Sequence, residues 1–91
     1  MSGPPALDTR PRLVGKAVLR CDQVRGSHVL LLPERVVRLN ASAAAILARC
    51  DGSSTVAEIV AGLEAEFGTS DLTGDVSAFL AEAAGHGWVE T

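Results

Sequence analysis

The side chains that could act as nucleophiles, metal ligands or proton carriers are few: Cys21, Cys50, His28, His86 and a set of carboxylates gathered toward the C-terminal half. A zinc site needs about four Cys, His or carboxylate ligands, at least two of them at short spacing. Two cysteines and two histidines with neither a C-x-x-C nor an H-x-x-x-H spacing do not meet that need. Neither histidine stands in a local arrangement with Ser or Cys that would activate a nucleophile. Glu58, Glu64 and Glu66 lie within one amphipathic stretch, where solvation and helix capping account for them at least as well as acid–base work does. There is no G-x-G-x-x-G and no phosphate-binding loop, because the glycines fall at turns and helix ends. These absences argue against an enzyme and against a bound cofactor, and they turn attention to binding.

Binding surfaces need elements to position them. Three short apolar runs come first, Ala17–Cys21, His28–Leu32 and Arg35–Leu39. They are separated by turn chemistry at Asp22–Ser27 and at Pro33-Glu34, which predicts an antiparallel meander. After Asn40 the period changes to that of a helix. Asn40 is a strong N-cap ahead of the alanine-rich Ala41–Cys50, and Asp51-Gly52 ends that helix. Thr55 and Glu58 have the spacing of a capping box, followed by Val56, Ile59, Val60, Leu63 and Phe67 on one helical stripe that Gly68 terminates. A third helix is expected to begin between Asp71 and Asp75, with Val76, Phe79, Leu80 and Ala83 on its apolar face and Gly85 and Gly87 at its end. Trp88-Val89 then returns over the core. Strands followed by helices imply an α+β fold, here a winged helix-turn-helix with an N-terminal three-stranded antiparallel sheet. Residues 1–11, with Pro4, Pro5 and Pro11, are expected to form a flexible tail or linker, and residues 12–91 one domain. No apolar run has the roughly 20 residues that cross a bilayer, and the first ten residues lack the core of an export signal. The expected setting is therefore cytoplasmic, without a membrane partner, and with both cysteines as buried free thiols.

Charge is divided along the chain. All eight basic residues occur at or before Arg49, where three acids oppose them, and the other eight acids follow, so the two parts carry +5 and −8. A winged helix that reads DNA needs a basic recognition helix to meet the phosphates. The third helix has Asp75 and Glu82 and no Lys or Arg, which argues against nucleic acid. An extended peptide is a better match, since an edge strand offers unpaired backbone groups to an added strand. Arg35–Leu39 is the better candidate edge, with the third helix as the far wall of a groove.

The same residues carry a family resemblance. Leu31-Leu32-Pro33-Glu34-Arg35-Val36-Val37-Arg38-Leu39-Asn40 resembles the turn, strand and Leu-Asn helix start of the PqqD family. Asp51-Gly52 with Thr55-x-x-Glu58-Ile59, Asp75-Val76-x-x-Phe79-Leu80 and Gly87-Trp88-Val89 are similar to its later elements, so the likeness runs from about Arg12 to Val89. The resemblance implies a peptide chaperone of pyrroloquinoline quinone biosynthesis that holds no cofactor. Such a protein binds the precursor peptide PqqA and presents it to PqqE, a radical S-adenosylmethionine enzyme, and in some organisms is fused to PqqC. A recognition domain of another modified-peptide pathway and a winged-helix nucleic-acid-binding protein are the alternatives. The family's binding mode, carried onto this chain, implies peptide contacts at Arg35, Val36, Val37, Arg38 and Leu39 on the strand. On the helix it implies contacts at Val76, Phe79, Leu80 and Ala83. Family members often carry a bulkier aliphatic residue where this helix has Glu82-Ala83-Ala84, which implies a shallower far end to the groove.

Overall fold

A computed structural model describes residues 6–22 and 24–90. Its elements are β1 (Arg12–Leu13), β2 (Val18–Asp22), β3 (Ser27–Leu32), β4 (Arg35–Leu39), α1 (Ala41–Ala48), α2 (Val56–Phe67), α3 (Thr73–Gly85) and β5 (Val89–Glu90). The expected α+β class and the expected order, a three-stranded meander and then three helices, are both observed. β3 is the central strand, antiparallel to β2 on one side and β4 on the other. In the β2–β3 loop Asp22 Oδ1 accepts from the Val24 and Arg25 amides, and Gly26 takes the left-handed φ of +68° that lets the chain re-enter β3.

The helix signals act locally as their chemistry dictates. Asn40 Oδ1 accepts from the Ala43 amide at 2.7 Å and opens α1. Thr55 and Glu58 form a reciprocal capping box at the start of α2, and Gly68 closes that helix at φ +63°. α3 begins differently. Its first amides get no side-chain cap from within the helix, and the Leu72 amide instead donates to Glu64 Oε2 of α2 at 3.0 Å. A carboxylate on one helix thereby fixes where the next one starts.

The core is aliphatic, as a chain with three aromatic residues requires. Leu30, Leu47, Val56, Ile59, Leu63, Val76, Leu80 and Ala83 are essentially inaccessible to water, and Trp88 and Val89 close over them. Gly87, at φ +79°, turns the chain back so that Trp88 can do this.

Three features differ from expectation. First, β1 and β5 form a second, two-stranded sheet that pairs Arg12 with Glu90 and Leu13 with Val89, and the Arg12 guanidinium meets the Glu90 carboxylate at 3.1 Å. Two-residue strands are too short to have a period, so no alternation announces them. Second, the stretch expected to be a tail is held from Leu7 onward. The carbonyls of Leu7, Thr9 and Pro11 accept from the amides of Ala57, Val56 and Gly52, and Pro11 is buried. Proline has no N–H to give a ladder, yet the carbonyls of this stretch can take up amides left free at and before the start of a helix. Residues 1–5 lie outside the described residues. Third, Cys50 is a buried thiol but Cys21 is exposed, because it stands on the outer strand β2.

Candidate peptide-binding site

β4 has β3 on one side only, so its other edge carries unpaired backbone groups. Alternation along the strand splits its side chains between two faces. Val37 and Leu39 turn inward and pack on the core, while Val36 and Arg38 are exposed on the outer face. Arg35 is exposed and shares the inward parity of Val37 and Leu39.

Two hollows connect the surroundings of β4 with those of α3, each joining the end of one to the start of the other. At one end, a hollow of about 260 Å³ is lined by Ser42, just beyond β4, and by Leu72 and Asp75 at the start of α3, with Ile46, Leu63 and Phe67 as its apolar wall. At the other end, Leu32, Pro33 and Glu34 of the β3–β4 turn share a hollow with Gly87, just beyond α3. Phe79 sits midway along α3.

The nine residues expected to touch a peptide do not stand on equal terms. Arg35, Val36, Val37, Arg38 and Leu39 are exposed or half-buried, as a recognition strand requires. On α3, Phe79 is half-buried, whereas Val76, Leu80 and Ala83 are 2 %, 0 % and 0 % exposed and belong to the same buried core as Ile59, Leu63 and Trp88. Their packing sets the position of Phe79. Arg38 has the outward parity of Val36. Sequence reasoning did not anticipate the end hollow at Phe67 and Leu72. The signal was Phe67 itself, a large apolar residue left 52 % exposed at the end of its stripe.

The carboxylates of α2 and the buried thiol are occupied structurally. Glu58 caps α2, Glu64 caps α3, and Glu66 pairs with Arg49 at 2.8 Å. The Thr55 amide and hydroxyl hold the Glu58 carboxyl below its usual range, and the Ser53 and Ser54 amides do the same for Asp51. Burial, with a contribution from Asp51, pushes the Cys50 thiol up to about 12, far from the thiolate a nucleophile needs. Its Sγ–H donates to the Ile46 carbonyl at 3.3 Å. Cys21 and His28 are cross-strand neighbours, but the described residues hold no group of three potential metal ligands.

The profile of the family described as coenzyme PQQ synthesis protein D (PqqD) matches residues 27–89. This chain belongs to the PqqD family. It is 46 % identical over 70 residues to a PqqA binding protein of Azotobacter vinelandii, with 76 % of each chain covered. It is 39 % identical over 87 residues to a PqqA binding protein of Pseudomonas aeruginosa, covering 94 % of this chain and 95 % of the relative. Among solved structures it resembles the solution structure of the PqqD truncation of Methylobacterium extorquens PqqCD, described as a functional, stand-alone recognition element for ribosomally synthesized and modified peptides. The TM-score is 0.81 at 34 % identity, covering 99 % of this chain and 97 % of that one. No described helix of this PqqD-family chain is long and apolar enough to cross a membrane.

Proposed function

We propose that this chain is a non-catalytic, cytoplasmic peptide chaperone that binds a PqqA-like precursor peptide by strand addition and presents it to a PqqE-type radical S-adenosylmethionine enzyme, with PqqC as a fused or associated neighbour in the pathway. One observation carries the reading: β4 leaves one backbone edge open in a family whose relatives are named as PqqA binding proteins. An added strand hydrogen-bonds to the edge through its main chain and alternates its side chains across the two faces of the sheet. One set meets Arg35, Val37, Leu39 and Phe79 in the groove, and the other meets Val36 and Arg38 outside. Val76, Leu80 and Ala83 contribute by holding the Phe79 wall in place. A peptide held near a second protein's active site gains in effective concentration, which raises avidity by roughly 10²–10⁴ without chemistry in the module itself.

An amide chemical-shift titration with a synthetic PqqA-like peptide tests this. Shifts should concentrate in Arg35–Leu39 and around Phe79. Saturation with shifts confined to β2 or α2 would reject the groove. An unshifted spectrum at high peptide excess would reject the peptide.

A further inference from the structure

The three-stranded sheet has a second face, of which an added peptide strand would meet only the β4 margin, Val36 and Arg38. Val18, Leu31 and Val36 stand side by side across β2, β3 and β4 as successive cross-strand neighbours. The next row on that face is Arg20, Val29 and Arg38. The helices cover the opposite face, where Leu19, Leu30, Leu32, Val37 and Leu39 join the core; Val18, Val29, Leu31 and Val36 do not. Val18 is 47 % and Val36 61 % exposed. Facing side chains on adjacent strands lie about 5 Å apart, so these four form one continuous apolar strip. Arg20 and Arg38 flank Val29, and among the described residues neither makes an ion pair, unlike Arg12, Arg25 and Arg49.

We propose that this outer face docks a folded protein whose surface has an apolar centre bordered by carboxylates. The occupant follows from what the face offers. The backbone of β3 is paired on both sides, so recognition at the centre of the face rests on side chains, which suit a preformed surface better than another extended peptide. Two unpaired guanidiniums beside apolar side chains select carboxylates in bidentate contact. A second copy applied face to face would set Arg20 and Arg38 against their own counterparts, which disfavours self-association by this route. The proposal rests on the reading of the chain as a presenting module, with the partner enzyme as the protein presented to. A peptide strand added at β4 would extend both rows by one side chain each, so a protein docked here would meet module and peptide together.

The test uses the full chain, the PqqA-like peptide and the pathway's radical S-adenosylmethionine enzyme. Peptide affinity is measured first by calorimetry, then enzyme affinity at saturating peptide. Val18→Asp with Arg20→Glu, both on the strand farthest from the groove, should leave peptide affinity unchanged and weaken enzyme binding tenfold or more; Arg20→Lys should lose less. In the wild-type chain, which needs no variant to fold, enzyme should broaden or shift the amides of Val18, Arg20, Val29 and Leu31, and added salt should weaken the complex. Wild-type affinity in the double variant, or enzyme-induced shifts confined to the helices, overturns the proposal. So does a wild-type dimer in sedimentation that the double variant abolishes, or binding to phosphatidylserine vesicles that it abolishes, since the face would then serve a second copy or a membrane. If peptide binds but enzyme does not, the docking face falls and the chaperone reading of peptide binding stands. If neither binds, the reading beneath both falls.

Discussion

β4 and α3 are the two proposed walls of the peptide groove, and their sequences look alike in kind, a few aliphatic residues among charges. The fold treats them in opposite ways. Most of the apolar stripe of α3 is consumed by the core, since Val76, Leu80 and Ala83 are sealed against α2 and Trp88, and Phe79 alone of the four stays half-buried. β4 keeps all five of its residues at least partly accessible and leaves one backbone edge open. A domain of 91 residues has little interior, and a helix contributes to that interior through the same stripe that would recognise a ligand. A strand is under less conflict. It can commit one face to the core and still recognise a partner through its edge and its other face.

The comparison breaks most clearly at α3. Leu80→Ala should cost about 2–5 kcal/mol of stability, read by denaturant unfolding, because it removes a fully buried side chain and leaves a cavity. Phe79→Ala should cost less stability yet weaken peptide binding, read by calorimetry on the folded variant. The reverse ranking would mean that the helix wall acts through its buried residues.

At β4, proline substitutions sharpen the contrast. Successive amides along an antiparallel strand alternate between the neighbouring strand and the open edge. Of Val37→Pro and Arg38→Pro, one should lose a bond to β3 and lower the melting temperature. The other should lose an edge donor and reduce peptide affinity with a smaller thermal cost. If both keep wild-type affinity while folded, β4 is not the binding edge.

Smaller effects lie away from both walls. Thr55→Ala breaks the capping box and should cost about 1 kcal/mol of stability with no change in peptide affinity, as thermal melts and calorimetry would show. Acid provides the mildest test. Asp51 and Glu58 have folded-state values below their ordinary 3.8 and 4.5, so their contribution is full above the ordinary carboxylate range and is lost as the pH falls through the lowered values. Melting temperature against pH should hold level at neutrality and decline only in that acidic window, and Glu58→Gln should flatten part of the decline.

Much of the fold was legible because its signals are local. Asn40, the Thr55–Glu58 pair, Gly68 and the Pro33-Glu34 turn each act on backbone within a few residues, and each is found at work in the structure. The candidate strand was legible for a related reason, since a short strand at the end of a meander must expose an edge. What escaped depends on distant partners. The start of α3 is set by Glu64, eight residues before Leu72, and the β1–β5 pair joins residues 78 positions apart. The exposure of Cys21 follows from its place on an outer strand.

By itself, then, the sequence determined the strand and helix order, the caps and turns, the aliphatic core and the division of charge, because these follow from period, propensity and composition over short stretches. Only the tertiary structure decided which apolar residues remain available for recognition. Phe79 and Val36 resemble Leu80 and Val37 in type and sit beside them in sequence, and the difference lies in which of them the packing of α2, α3 and the sheet leaves facing water.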